Sequence, residues 1–362
     1  MKKIFKVLFL SIGILLLLLG GYFFFIRKLD NNAMEMKDFY TSSYNMSKAV
    51  LLPSSFINGE RFYIKVVTVN GDTILAFGDT GGGISMVLPD VLTNLNLQSK
   101  TKTGIIKGFF PMQYIPFYDI AKDENVPPPV PLRNLIFRRC MERVQEPLLL
   151  IPPDNDEFKE LVLIRKCIPF GIFLGQNFFM GKSWTFDYIK RQIWVNTPIS
   201  KAEEGKPGVQ RIGFKKNSNH ENVFGHPSMY IEVDGEIIEV LFDTGATIVL
   251  SEDGKKDFGT EAKTIGGSFI AKSIFDKWRK MHPDWKHYEK ADMNNDIIEV
   301  PKVKIGGYEV GSVLFAERND ENWSKGMITS MDTIVKGAIG GSGLSYFKVT
   351  IDYNSELIKF EK

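Results

Sequence analysis

The sequence predicts a protein dominated by β-structure, in which two similar lobes follow a single transmembrane helix. Segments of alternating apolar and polar residues, bounded by Gly, Asn and Asp, are typical of β-strands. Stretches of the second half repeat stretches of the first at a displacement of 164 or 165 residues, which indicates an internal duplication. An uncharged run of 20 residues near the N-terminus has the length of a helix that crosses a bilayer.

The N-terminal run extends from Val7 to Ile26. A cleaved signal peptide would have a shorter apolar core and small residues at its cleavage site, and residues 22–26 offer none. We therefore expect an uncleaved single-pass anchor over residues 1–28, with the bulk of the protein outside the cytoplasm. A buried core helix is the alternative. Basic residues flank the run on both sides: Lys2, Lys3, Lys6, Arg27 and Lys28.

The remaining chain divides into four predicted segments. Residues 29–60 are polar and mixed, which favours a lead-in or stalk. Residues 61–198 form a first lobe, and residues 223–362 form a second. Between them, residues 199–222 are rich in Lys, Glu, Gly, Pro and Asn and lack apolar periodicity, which is typical of a linker.

The composition excludes several function classes. A net charge of +2, with Lys and Arg spread along the chain, does not indicate a nucleic-acid partner. Two cysteines, Cys140 and Cys167, are too few for a disulfide scaffold or a Cys-rich zinc site, and a single bridge between them stays open. The poor spacing of His282 and His287 gives no helical metal motif. We therefore predict no metal and no cofactor.

Each lobe contains a predicted hairpin that runs into the tripeptide Asp-Thr-Gly. The first hairpin covers residues 62–77 and leads to Asp79, and the second covers residues 229–242 and leads to Asp243. The repeat extends on both sides of the two aspartates. The further matched pairs are Gly71 with Gly235, Gly175 with Gly340, Thr185 with Thr350, and Asp187 with Asp352.

Two turn aspartates from duplicated lobes meet near a pseudo-twofold axis if the lobes pack face to face. Two adjacent carboxyl groups cannot both ionise easily, and they therefore share a proton over a wide pH range. The ionised group can take a proton from water while the protonated one polarises a carbonyl group. This pair of groups can hydrolyse an amide bond without a metal.

These motifs resemble the active-site sequences of the pepsin and retropepsin superfamily of aspartic peptidases. Residues 242–247, Phe-Asp-Thr-Gly-Ala-Thr, match the family motif closely, and residues 79–81 match it in part. Residues 173–175 and 338–340 resemble the family's downstream apolar-apolar-Gly strands. The resemblance covers roughly residues 60–362. Aspartic peptidases are the standard example of a shared proton between two carboxyl groups.

The resemblance implies a bilobal acid-protease fold with Asp79 and Asp243 as the catalytic dyad. It also implies that the two turn threonines hydrogen-bond across the lobes and that the turn glycines let the backbone approach the dyad. These expected supporting residues are Thr80, Gly81, Thr244 and Gly245. The implied partner is a polypeptide bound in extended form across the cleft of a monomer.

Retropepsins also carry a glycine-rich hairpin flap, and two stretches at similar distances from the aspartates resemble one. Two flaps would be closer to a fused retropepsin dimer than to pepsin, which has one; ordinary surface hairpins are the alternative. Tyr114 is either a flap tyrosine or a packing residue. The expected flap residues are Gly104, Ile105, Ile106, Gly108, Gly266 and Gly267.

The first turn departs from the family pattern at Gly78, Gly82 and Gly83. A hydroxyl group that would bond the outer oxygen of Asp79 is missing, and three consecutive glycines loosen a turn. The sequence therefore predicts a membrane-anchored aspartic endopeptidase. The alternative is a catalytically impaired peptide-binding or scaffold protein that retains the fold. A two-carboxylate glycosidase is disfavoured by the duplication.

Overall fold

A computed structural model describes most of the chain and confirms that β-structure dominates it. The described residues are 2–31, 47–57, 61–106, 110–122, 125–130, 135–136, 146–151, 166, 170–218, 220 and 222–362. Cys140 and Cys167, and with them the bridge that the sequence leaves open, lie outside these ranges.

The first half of the chain contains twelve strands among the described residues, and short helices separate some of them. The strands are β1 (Val50–Leu52), β2 (Ser54–Ile57), β3 (Arg61–Val67), β4 (Thr73–Gly78), β5 (Met86–Val87), β6 (Lys102–Ile106), β7 (Phe110–Pro116), β8 (Leu135–Ile136), β9 (Pro147–Leu150), β10 (Ile172–Leu174), β11 (Ser183–Asp187) and β12 (Gln192–Val195). The α-helices are α1 (Lys2–Asn31), α2 (Pro89–Asn94) and α3 (Gln176–Phe179), with 3₁₀ turns at Gln98–Lys100 and Phe117–Asp119.

The second half is built in the same way. Its strands are β13 (Val209–Arg211), β14 (Ser228–Val233), β15 (Glu236–Phe242), β16 (Thr247–Val249), β17 (Thr264–Gly266), β18 (Ser268–Ala271), β19 (His287–Asp292), β20 (Asn295–Val300), β21 (Val303–Ile305), β22 (Tyr308–Val310), β23 (Val313–Arg318), β24 (Gly337–Ile339), β25 (Lys348–Asp352) and β26 (Leu357–Glu361). Its α-helices are α4 (Glu252–Phe258), α5 (Lys272–Met281) and α6 (Gly341–Leu344), with a π-helical turn at Asn322–Gly326 and 3₁₀ turns at Lys201–Glu203 and Met327–Thr329.

Each half forms its own nine-stranded sheet within the described residues, and a six-stranded sheet joins the halves. The strand orders are β2-β3-β4-β10-β5-β9-β7-β6-β8, β19-β20-β23-β18-β24-β15-β14-β21-β22 and β1-β12-β11-β25-β26-β13. In the shared sheet, β11 pairs antiparallel with β25, and Thr185 lies opposite Thr350. These two threonines are equivalent residues of the two sequence repeats, 165 positions apart. The pseudo-twofold axis therefore passes between their strands.

The pairing pattern identifies the equivalent strands of the two halves. β4 pairs parallel with β10, as β15 does with β24. β10 also pairs antiparallel with β5, as β24 does with β18. Strand β5 is therefore the counterpart of β18. The segment β16-α4-β17 is an insertion that the first half lacks among its described residues.

An aromatic core lies beneath the two aspartate turns and crosses from one half to the other. The ring centroids of Phe62 and Phe186 are 4.9 Å apart, and those of Phe186 and Phe242 are 6.1 Å apart. All three side chains are fully buried, with Trp184 beside them. Each buried ring stabilises the fold by about 1.5–3 kcal/mol through loss of contact with water.

A helix, α1, forms at the N-terminus, where the sequence predicts a transmembrane anchor. Within the described part of the chain, however, no helix combines the length and hydropathy that crossing a bilayer requires. The transmembrane assignment therefore has no support from the structure and stays a prediction.

Candidate active site

Parallel strand pairs position the two turn aspartates. Asp79 follows the end of β4, and its amide donates to the carbonyl oxygen of Leu174 at 2.9 Å. Asp243 follows the end of β15, and its amide donates to the carbonyl oxygen of Ile339 at 3.0 Å. Because each bond continues a parallel ladder, both aspartates leave their sheets in the same way. The repeat in the sequence is thus also a repeat in backbone geometry.

Reciprocal hydrogen bonds join the two turns. The Thr80 amide donates to the Thr244 hydroxyl at 3.1 Å, and the Thr244 amide donates to the Thr80 hydroxyl at 3.0 Å. The Thr80 hydroxyl then donates to the carbonyl oxygen of Phe242 at 2.8 Å, and the Thr244 hydroxyl donates to that of Gly78 at 3.4 Å. Both threonines are 0% exposed. The turns are therefore held in one arrangement with few alternatives.

Each turn glycine lies against the carboxyl group of the opposite turn. A β-carbon added at Gly81 would stand 2.6 Å from Cγ of Asp243, and one added at Gly245 would stand 2.2 Å from Cγ of Asp79. No side chain fits at either distance. Glycine is therefore required at both positions so that the two carboxyl groups can meet across the halves.

The two carboxyl groups perturb one another. The pKa of Asp79 is raised well above its ordinary value, chiefly by burial and then by the negative charge of Asp243 and a hydrogen bond to it. The amides of Gly81 and Gly82 act in the opposite direction. Asp243 is 9% exposed, and its Oδ1 atom accepts the Gly245 amide at 2.9 Å. This environment favours one proton shared by the pair.

Packing explains two of the three glycines that depart from the family pattern, whereas a β-carbon at Gly83 would meet nothing within 4 Å. A β-carbon at Gly78 would stand 2.3 Å from the Phe62 ring, and one at Gly82 would stand 2.4 Å from the Phe173 ring. Neither these two glycines nor Gly83 has a left-handed backbone. Large aromatic rings thus occupy the volume that side chains at Gly78 and Gly82 would need.

The missing hydroxyl has a visible consequence. Among the described residues, Oδ1 of Asp79 is buried and has no hydrogen-bond partner. This agrees with the glycines that follow the first Asp-Thr-Gly, since none of them can supply a hydroxyl group. The atom is an acceptor that a water molecule or a substrate hydroxyl group can use.

A matched pair of serines supports the downstream glycines, and the sequence did not reveal it. The Gly175 amide donates to Oγ of Ser85, and the Gly340 amide donates to Oγ of Ser268, both at 3.1 Å. Ser85 and Ser268 are 183 positions apart, whereas the glycines are 165 apart. The insertion β16-α4-β17 accounts for the difference and conceals the match from a search at one displacement.

The first predicted flap lies partly within the described residues. Gly104 and Ile105 belong to β6, which pairs with β7 as a hairpin. Ile106 is in the same strand, but its side chain and all of Gly108 lie outside the described residues. Tyr114 on β7 is 1% exposed, so it packs in the core.

The second predicted flap is wrong in position. Gly266 and Gly267 are buried at the junction of β17 and β18, and a β-carbon at Gly267 would stand 2.3 Å from the Ile248 side chain. They therefore lie inside the second half and not at a hairpin tip. The counterpart of β6-β7 is β19-β20, because β20 pairs antiparallel with β23 as β7 does with β9.

The insertion fastens the tip of the β19-β20 hairpin. Oδ1 of Asp292 accepts the Val249 amide at 2.8 Å, and Arg318 forms an ion pair with Asp292 at 2.7 Å. The Met293 amide donates to the Val249 carbonyl oxygen at 2.9 Å. Asp292 is 0% exposed. The second hairpin is thereby attached to β16 beside the Asp243 turn.

No group of three or more His, Cys, Asp or Glu side chains suited to a metal ion occurs in the described ranges. The chemistry that the site can perform with its own residues is proton transfer between two carboxyl groups and a bound molecule.

Comparisons with known proteins add little to this geometry. No protein-family model matches the chain, and no curated protein matches it. The chain is similar to a solved retropepsin-like aspartic protease from Rickettsia conorii, at 19% identity over 42% of this chain and 90% of that chain. The TM-score is 0.24, which is too low to carry an argument about fold or function.

Proposed function

We propose that this chain is an aspartic-type endopeptidase. The observation that carries the proposal is the mutual approach of Asp79 and Asp243, each packed against the glycine of the opposite turn. The raised pKa of Asp79 and its hydrogen bond to Asp243 supply one acidic and one basic carboxyl group at the same point. General acid–base catalysis of amide hydrolysis needs such a pair.

The proposed reaction uses a water molecule bound between the two carboxyl groups. The ionised carboxylate takes a proton from the water as its oxygen attacks the peptide carbonyl carbon. The protonated carboxyl group donates its proton to the carbonyl oxygen, and a tetrahedral diol forms. The carboxyl group that received the water proton then donates it to the leaving nitrogen, while the other carboxylate takes a proton from one hydroxyl group of the diol. The C–N bond breaks, the carboxylic acid and the amine are released, and the dyad again holds one proton.

The proposed substrate is a polypeptide in extended form. Edges of sheets bind extended chains through main-chain hydrogen bonds. The β6-β7 hairpin of the first half is the proposed cover for such a ligand, whereas the tip of β19-β20 is fastened to the insertion through Asp292. We therefore propose one working flap and not two.

Anchoring of the enzyme to a membrane through α1 is a separate part of the proposal. Residues 10–24 of this helix are exposed, and most of them are apolar. A helix that is apolar on all sides is stable in an apolar surrounding such as lipid. Release of the full-length protein from a membrane fraction by carbonate, without detergent, would contradict this part alone.

The test is peptide cleavage by the full-length protein in detergent between pH 3 and 7, with a diverse peptide library. Asp79→Asn and Asp243→Asn should each reduce kcat/KM by roughly 100- to 10,000-fold, the usual range for loss of a general acid or base. Asp284→Asn, at an exposed aspartate, is the matched control. Binding without cleavage by the wild-type protein would instead favour the peptide-binding alternative.

A further inference from the structure

Two residues at equivalent positions lie at the start of β3 and just before β14, the first long strand of each half. Tyr63 lies opposite Phe77 in the β3-β4 hairpin, and Ser228 lies opposite Leu241 in the β14-β15 hairpin. Phe77 and Leu241 each lie two residues before the turn aspartate. Counting two residues back from Tyr63 and from Ser228 gives Arg61 and His226. These two side chains are therefore structural counterparts.

Arg61 crosses to the second half of the chain. Its guanidinium group donates to the Thr247 hydroxyl at 3.2 Å and to the Thr264 hydroxyl at 2.9 Å. Thr247 is four residues after Asp243, and Arg61 is 0% exposed. A buried side chain from the first half thus supports the catalytic turn of the second.

His226 makes the reverse crossing with different chemistry. Its Nε2 atom lies 3.1 Å from the carbonyl oxygen of Gly82, three residues after Asp79. Its Nδ1 atom lies 2.9 Å from Oγ of Ser330, and the side chain is 5% exposed. A carbonyl oxygen can only accept, so Nε2 carries the proton and donates to Gly82. The Ser330 hydroxyl has two acceptors within reach, Nδ1 at 2.9 Å and the carbonyl oxygen of Met327 at 3.2 Å. With the proton on Nε2, Nδ1 of the neutral ring is the acceptor of the shorter bond.

Several hydrogen bonds converge on Gly82, within the Asp79 turn. Its carbonyl oxygen also accepts the Gln176 amide at 3.0 Å, and the Gln176 side chain accepts the Gly225 amide at 2.7 Å. The Gly82 amide, which belongs to the preceding peptide group, donates to the backbone carbonyl oxygen of Asp79 at 3.2 Å. The same amide acts to lower the pKa of the Asp79 carboxyl group. A group that fixes the Gly82 carbonyl oxygen therefore restrains the backbone that closes the Asp79 turn.

We propose that His226 is a positioning residue that holds the Asp79 turn in its catalytic geometry through the Gly82 carbonyl oxygen. The inference rests on the proposed peptidase function. It also explains how a turn with three consecutive glycines is kept in place: the restraint comes from the other half of the chain. Burial lowers the pKa of His226 to about 4, and the ring is therefore neutral at pH 5 and above, as the assigned tautomer requires.

The test compares His226→Ala with His226→Gln in the full-length protein. Glutamine places an amide N–H near the position of Nε2 and can restore the bond to Gly82, whereas alanine cannot. We expect His226→Ala to reduce kcat about tenfold with KM changed less than twofold, and His226→Gln to recover most of that loss. His220→Gln, at an exposed histidine of the same region, is the control.

Two further readouts separate positioning from general support of the fold. A turn that relaxes in His226→Ala moves the Gly82 amide, which acts to lower the pKa of Asp79. The pKa of Asp79 should then rise, and the acid limb of the kcat/KM profile should move to higher pH. Hydrogen exchange at residues 79–83 should quicken in His226→Ala and not in His226→Gln. This second measurement needs no catalytic activity, and it therefore tests the inference even if the wild-type protein cleaves nothing.

Three results would overturn the inference. The first is a wild-type acid limb and kcat in His226→Ala. The second is equal loss in His226→Ala and His226→Gln, which indicates general damage to the fold. The third is a ¹⁵N spectrum of the wild-type protein that places the proton on Nδ1 at pH 6. This spectrum decides the matter if both variants fail to fold.

Discussion

Thr80 and Thr244 exchange hydrogen bonds in both directions, amide to hydroxyl, at 3.1 and 3.0 Å. Both residues are fully buried, and every donor in this group of four bonds has its acceptor in the opposite turn. Loss of one hydroxyl group therefore leaves a buried amide without a partner. Such a loss costs more than the net contribution of one hydrogen bond.

Thr80→Val should lower the free energy of unfolding by about 1–3 kcal/mol, because valine keeps the volume but removes the acceptor for the Thr244 amide. Thr80→Ser keeps the hydroxyl group and is the matched control. Urea denaturation of both variants measures the difference. Equal stability of the valine and serine variants would show that the hydroxyl group does not matter.

Gly81→Ala should abolish catalysis, because its β-carbon would stand 2.6 Å from Cγ of Asp243 and displace the carboxyl group. We expect kcat/KM to fall at least about 100-fold, as misplacement by an ångström does elsewhere. Gly83→Ala is the control within the same turn, since a β-carbon there meets nothing within 4 Å. It should retain activity. Its free energy of unfolding should rise by about 0.4–1 kcal/mol, because alanine reduces the conformational entropy of the unfolded chain. An inactive Gly83→Ala variant would contradict the packing account of this turn.

Asp79→Asn should stabilise the protein at pH 7 and have little effect near pH 3. In the folded state the pKa of Asp79 is raised above the ordinary value of 3.8. The folded protein thus holds a proton that the unfolded chain releases. The stability that Asp79 contributes by this difference is fully present below pH 3.8 and is lost as the pH rises through the folded-state pKa. Asparagine cannot ionise and avoids that loss. Urea midpoints of the wild-type protein and of Asp79→Asn, measured from pH 3 to 8, test this pH dependence. A stabilisation of Asp79→Asn that is largest at pH 3 would contradict it.

Asp292→Ala should release the β19-β20 hairpin from the insertion. Removing one partner of a buried ion pair costs about 3–5 kcal/mol, and the Val249 amide also loses its acceptor. Asp292→Asn keeps that acceptor and should cost less. Hydrogen exchange at residues 287–300 should quicken most in the alanine variant. Unchanged exchange there would show that the hairpin is held by other contacts.

The internal sequence repeat predicted which residues the structure brings together at the pseudo-twofold axis. Residues related by a constant displacement were expected to occupy equivalent positions in the two halves. Thr185 and Thr350 do so, because they lie opposite each other in the shared sheet. Alternating segments were likewise sufficient to locate the β3-β4 and β14-β15 hairpins.

The residues that the sequence did not reveal share a physical reason. Ser85 and Ser268 were hidden by an insertion that changes the displacement from 165 to 183. The same insertion led to the wrong second flap at Gly266 and Gly267. His226 could not be found because its partner is a backbone carbonyl group, which every residue carries and no motif marks.

The six-stranded sheet also sets the order in which the protein can be completed during synthesis. Strand β11 pairs with β25, whose residues follow 165 positions later. At 5–20 residues per second, the edge of β11 waits roughly ten to thirty seconds for its partner. An open strand edge of this kind can pair with other chains. The symmetry that builds the site therefore exposes the newly made first half to aggregation until the last strands emerge.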